Sequence, residues 1–159
     1  MAGTGFTTCL WFDGQGEEAA HFYVSVFKDS GIGQVVRYPE GSMQPAGTVM
    51  TVEFTANGHR FLALNGGPEF TFTEATSFMI FCADQEEIDH YWSRLTEGGE
   101  PGPCGWLKDR FGVSWQVVPD RLQSMISDPD PEKVSRVTAA FMAMHKFDLA
   151  ALEKAYAGE

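Results

Sequence analysis

The chain has 159 residues and a net charge of −11, from 11 Lys plus Arg against 22 Asp plus Glu. A chain of this length buries roughly 70% of its unfolded surface, so it needs no disulfide or metal to fold, and 43% hydrophobic with 21% charged residues is globular rather than disordered composition. The acidic balance, without any basic cluster, excludes a general phosphate-backbone binder and predicts no nucleic-acid partner, while leaving room for a small ligand.

The start, Thr7-Thr8-Cys9-Leu10-Trp11-Phe12, is β-prone and predicts a strand. Asp13-Gly14-Gln15-Gly16 is a turn. Apolar Ala19, Phe22, Tyr23, Val26 and Phe27 follow at helical spacing, so 17–27 is an amphipathic helix, with acidic Glu17 and Glu18 suited to its N-terminus. Gly31 and Gly33 break the pattern, and 34–38 predicts a second strand. After a polar loop over 39–47, strands over 49–56 and 59–65 are joined by Asn57-Gly58, the strongest short hairpin signal.

The pattern then recurs. Residues 77–82 predict a strand and 85–95 a helix with Ile88, Tyr91, Trp92 and Leu95 on one face, ended by Gly98-Gly99. Short strands over 105–109 and 113–118 flank Arg110-Phe111-Gly112. Sliding the chain by 69 residues superposes Phe12 on Phe81, Glu17 on Glu86, Glu18 on Glu87 and His21 on His90, with Phe22-Tyr23 on Tyr91-Trp92. The hairpins match at a shift near 53. These matches predict two β-α-β-β-β repeats, at about 5–70 and 71–121, within a domain 1–124. Each sheet carries one helix on its outer face, and the two half-sheets are expected to join into one curved mixed sheet with a concave inner surface. The fold class is α+β.

The tail, 125–159, is too small for a domain of its own. Asp130 is the expected N-cap and Pro131 the first residue of a helix with an apolar stripe from Val134 to Met144; Asp148 is expected to cap a last helix over 149–156. No apolar run nears 18 residues, which predicts no membrane span. Met1 to Cys9 lacks the basic start and apolar core of a signal peptide, and Cys9, Cys82 and Cys104 are an odd, widely spaced set; both features predict a cytoplasmic protein with reduced thiols.

Paired β-α-β-β-β units describe the vicinal oxygen chelate superfamily of glyoxalases, extradiol dioxygenases and bleomycin-resistance proteins, and this chain resembles its PhnB-like branch, which often carries a demethylubiquinone methyltransferase label. The resemblance rests on Phe12-Asp13-Gly14 with Glu17-Glu18-Ala19 and Phe22-Tyr23, on Leu64 to Pro68, on Gln85 to Asp89 ahead of Trp92, on Gly98-Gly99, on the run Cys104 to Pro119, and on Met144, Lys146, Asp148 and Leu152 of the tail. It implies a glyoxalase-like fold and a homodimer. Methyl transfer has no support in the residues, because no Gly-rich loop follows a strand and opens a helix as a nucleotide-type cofactor requires.

The resemblance also implies four inward positions that hold a divalent ion in metal-using members. Aligning on Phe22-Tyr23 puts these at Thr8, at about Ala63 with Asn65 one step along the same face, at Ser77 and at Gln116. Only Gln116 is a plausible ligand, and a weak one, so the expectation is no metal and no cofactor. His21 and His90 are expected to serve helix packing, His59 a hairpin turn and His145 the end of the tail helix.

What remains at the predicted cup is a set of small polar groups, Thr8, Asn65, Ser77, Ser114 and Gln116, with apolar Met79, Phe81, Trp106 and Phe111. The ligand-binding pocket is accordingly placed at Thr8, Asn65, Ser77, Met79, Trp106, Ser114 and Gln116; the alternative is that these residues fill a closed core. Strand alternation from Thr8 points Cys9 out of the cup. Lys108, Asp109 and Arg110 form either a charged pocket mouth or a solvated turn. The leading expectation is a small-molecule binder without a catalytic metal. The alternatives are a metal-dependent lyase or dioxygenase, and a metal-free enzyme using Lys108, Asp109 or Cys104.

Overall fold

The computed structural model describes residues 5–159; residues 1–4, part of the segment read for a leader, lie outside it. The chain divides into two compact units, Met1–Thr71 and Phe72–Glu159. Among the described residues no helix is long and apolar enough to cross a membrane.

In the first unit, β1 (Thr8–Phe12) leads into α1 (Gly16–Val26), then β2 (Gly31–Arg37), β3 (Val49–Ala56) and β4 (His59–Asn65). The sheet order is β1-β4-β3-β2, with β1 parallel to β4 and the other pairs antiparallel. Asn57 and Gly58 both take positive φ, 50° and 73°, the turn that matches strand twist in a tight hairpin. Helix α1 packs on the face carrying Leu10, Phe12, Val52, Phe54, Phe61 and Ala63, all buried. Tyr23 stacks on Phe54 at 5.8 Å and Phe54 on Phe61 at 5.0 Å, which fixes the helix to the sheet. The expected break at Gly31 and Gly33 lies inside β2: Gly33 approaches Glu53 of β3 so closely that a Cβ would stand 3.2 Å from the Glu53 carbonyl oxygen. There the glycine serves strand pairing rather than a loop.

The second unit repeats the order with β5 (Phe78–Cys82), α2 (Gln85–Thr96), β6 (Glu100–Pro101), β7 (Trp106–Lys108) and β8 (Ser114–Pro119), in sheet order β5-β8-β7-β6. The Asp84 carboxylate accepts from the Glu87 N–H and caps α2. Buried Ile88, Tyr91 and Leu95 face Ile80, Cys82, Leu107, Trp115 and Val117. Short α3 (Leu122–Ile126) precedes α4 (Pro131–Met142) and α5 (Leu149–Ala157). Asp130 and Asp148 cap α4 and α5, with Pro131 in the first turn of α4. The Gln85 side-chain amide donates to the Phe147 carbonyl at 3.1 Å while its oxygen accepts from the Leu149 N–H at 2.8 Å, tying the tail to α2.

The β1–α1 turn is one residue longer than the β5–α2 turn, and that residue decides which side chains of β1 face the helix. Three residues separate β1 from α1, whereas two separate β5 from α2. The helices Gly16 and Gln85 therefore match at an offset of 69, but the strands Thr8 and Phe78 match at 70.

Candidate functional site

Each sheet has one face under its helix and one face opposite. In the second unit the pleat sets Ser77, Met79, Ser114, Gln116, Trp106 and Lys108 on the face opposite α2, because their pairing partners across β5, β8 and β7 are one another. Gln116 Nε2 donates to Ser77 Oγ at 2.9 Å. Met79 is 50% exposed and Phe81 60% exposed. Ser114 is 2% exposed, and its hydroxyl is the buried side-chain polar atom that lacks a partner among the described residues. Ser114 is also one of the residues around a cavity of about 400 Å³, with Trp106, Lys108, Glu74 and Glu100. Five of the seven residues expected in a pocket thus share one sheet face, but only Trp106 and Ser114 of them line the cavity.

Thr8 and Asn65 stand elsewhere. Thr8 pairs with Phe61 and Asn65 with Phe12, which places both on the face under α1. Thr8 Oγ1 is 3.0 Å from His59 Nε2. Asn65 is buried and spent on structure: its side-chain Oδ1 accepts the Gly16 N–H at 2.8 Å, and its Nδ2 donates to the Val49 carbonyl at 3.1 Å. Its edge also meets a second cavity of about 520 Å³ beside Asp13, Glu17, Arg37 and Tyr38. The expected facing of β1 is therefore reversed. Cys9, with Thr7, Glu53, Arg60 and Leu62, lines a cavity of about 590 Å³ on the face opposite α1. Counting back from Phe22-Tyr23 crosses the longer turn, and a slip of one residue flips a strand's faces. The same slip occurs in the last strand of each unit. Phe12 pairs with Asn65 and Cys82 with Pro119, so Leu62, not Ala63, takes the place of Gln116.

The four positions implied for a metal become Thr7, Leu62, Ser77 and Gln116. These groups do not fit a divalent ion, which needs charged or imidazole donors at such a site. Among the described residues no three His, Cys, Asp or Glu side chains gather around a point that holds a metal. His21 and His90 are exposed on their helices.

The charged hairpin divides into three roles. Asp109 is buried; its carboxylate accepts from the Phe111 and Val113 N–H groups and from the Trp115 indole. Arg110 Nε donates to the Glu97 carbonyl at 3.2 Å. Lys108 alone reaches the cavity, 2.5 Å from Glu74. That hydrogen bond lowers the Glu74 carboxyl below its ordinary range and raises the Lys108 ammonium above its own. Cys104 takes positive φ, 54°, and its N–H donates to the Met144 carbonyl at 2.7 Å, so it joins the β6–β7 loop to the tail. Burial pushes the Cys9 thiol up, away from the thiolate a nucleophile needs. Glu74 and Glu100 escape sequence reasoning because one sits in a loop and the other in a two-residue strand, neither with a pattern of its own.

The family described as 3-demethylubiquinone-9 3-methyltransferase matches residues 4–118. No curated protein matches. Among solved structures, the PhnB protein of Bacillus cereus is 37% identical, covering 73% of this chain and 99% of that one, with a TM-score of 0.65. Protein PA1353 of Pseudomonas aeruginosa is 19% identical over 74% of this chain and 98% of its own, with a TM-score of 0.61. The fosfomycin resistance protein FosX of Mesorhizobium loti is 13% identical over 80% of this chain and 100% of its own, with a TM-score of 0.55. The last two likenesses are of fold alone. Two βαβββ units with a helical C-terminal segment, in an α+β glyoxalase-like fold, and a match spanning most of the chain place this protein in the 3-demethylubiquinone-9 3-methyltransferase family, the PhnB-like branch of the vicinal oxygen chelate superfamily.

Proposed function

We propose that this protein binds a small molecule on the helix-free face of its second sheet, without a catalytic metal. The observation that carries this reading is Ser114, a residue of the cavity lining beside Trp106 whose buried hydroxyl has no partner among the described residues. A buried hydroxyl is normally hydrogen-bonded, and a ligand atom in the cavity supplies what the chain does not. The donor set opposite the helices supports the absence of metal chemistry.

Ligand-observed NMR against a fragment library tests the reading, with Trp106→Ala as the control. Binders that lose contact in the variant are expected. Stoichiometric Mn, Ni, Zn or Fe in the purified protein, measured by mass spectrometry of the metals, overturns the metal-free assignment in favour of a lyase or dioxygenase. The resemblance further supports a homodimer, and the odd, unpaired cysteines support a cytoplasmic setting. A monomeric mass in light scattering at micromolar concentration overturns the dimer.

A further inference from the structure

The cavity of the second unit carries a charge pattern that narrows its ligand. Glu100 pairs across the sheet with Lys108, and Lys108 with Ser114, so the three form one row over β6, β7 and β8. Lys108 binds Glu74 directly, whereas Glu100 acts on it only through space. One ammonium therefore stands between two carboxylates, and the lining is net negative. Trp106 offers an indole ring in the same cavity, with Pro101 and Pro103 beside it. Ser114, 2% exposed, ends the row with a hydroxyl that has no partner among the described residues.

From these groups the geometry points to a primary ammonium on a small apolar or aromatic body as the ligand of this cavity. The inference rests on the reading of this face as a ligand site. An ammonium has three N–H donors and no acceptor. Ser114 Oγ accepts one of them, Glu100 provides the counter-charge that Lys108 leaves unmatched, and the Trp106 ring attracts the cation through its face. An anionic ligand meets net negative charge and has to pull Lys108 from Glu74. A neutral ligand draws nothing from the net negative lining.

The test titrates the full chain with 2-phenylethylammonium chloride and, separately, with sodium 3-phenylpropanoate, by calorimetry and by indole N–H NMR. The ammonium is expected to bind and to shift one indole signal, the one missing in Trp106→Phe. The carboxylate is expected to bind at least about tenfold more weakly. Glu100→Gln weakens the ammonium about tenfold. Lys108→Met strengthens it several-fold, because Glu74 is released. Ser114→Ala weakens it while leaving the Tm of the ligand-free protein unchanged or higher, since that hydroxyl has no internal bond to lose. Tighter carboxylate binding, or a weaker ammonium in Lys108→Met, overturns the cation assignment and leaves the face as a ligand site. A lower Tm in ligand-free Ser114→Ala overturns the role given to that hydroxyl. If neither probe nor any member of the fragment library moves the Trp106 signal, the ligand-site reading falls with it.

Discussion

The Asp109 carboxylate accepts the Trp115 indole N–H at 2.8 Å from inside the β7–β8 hairpin. The same carboxylate takes the N–H groups of Phe111 at 2.9 Å and Val113 at 3.1 Å, so one buried side chain closes the turn and orients the buried indole of β8. This is why Asp109, though next to Lys108, has no part in the cavity. Asp109→Ala orphans three donors and is expected to destabilise the protein by about 3 kcal/mol in urea unfolding. Asp109→Asn, which keeps the shape but offers one acceptor fewer, is expected to lose less. Equal stability of Asp109→Ala and the parent protein contradicts the account.

Asn65 plays the corresponding part at the head of α1. Gln15 provides no side-chain cap there, and the Asn65 oxygen takes the Gly16 N–H instead. Asn65→Ala removes two hydrogen bonds at a site 8% exposed, and about 2 kcal/mol of stability is expected to go with them. Binding of 2-phenylethylammonium in the other unit is expected to remain at temperatures where the variant is folded.

Cys82 lies fully buried under α2, and its thiol is pushed up to about 12 by burial first and then by Glu87, Asp84 and Asp120. In the unfolded chain the thiol ionises near 9.0, so between there and about 12 unfolding releases a proton. The contribution is complete below the unfolded value and declines by about 1.4 kcal/mol per pH unit above it. Urea unfolding of the parent and Cys82→Ala from pH 8 to 11 reads the difference: the parent is expected to fall more steeply. Cys82 is also expected to resist alkylation in the native protein.

The tail carries a second pH signature. The Tyr156 hydroxyl donates to Asp128, which lowers the Asp128 carboxyl and raises the Tyr156 phenol. For Asp128 the stabilisation is present above its unfolded value of 3.8 and is lost as pH falls through the lowered native one. For Tyr156 it is present below 10.0 and is lost as pH rises through the raised one. Tyr156→Phe is expected to remove both shoulders from a plot of Tm against pH. A parent profile that superposes on the variant at both ends contradicts the link.

The repeat, both hairpins, both long helices and the caps Asp130 and Asp148 are legible in the sequence because they rest on local physics: side-chain period, turn conformation and the orphan N–H groups of a helix start. Helix α3 and strand β6 are not, being five and two residues long and without a period to detect. The site divides the same way. Ser77, Met79, Ser114 and Gln116 could be placed on one face from strand alternation, because the count to them runs along β5 and β8. Thr8 could not, since its facing depends on one extra residue in the β1–α1 turn, and neither could Asn65, since β4 matches β8 at an offset of 54 rather than 53. Composition and periodicity specify which residues alternate. Only the tertiary structure decides which of the two faces meets the helix, and so which hydroxyl, Thr8 or Ser114, finds a partner within the chain.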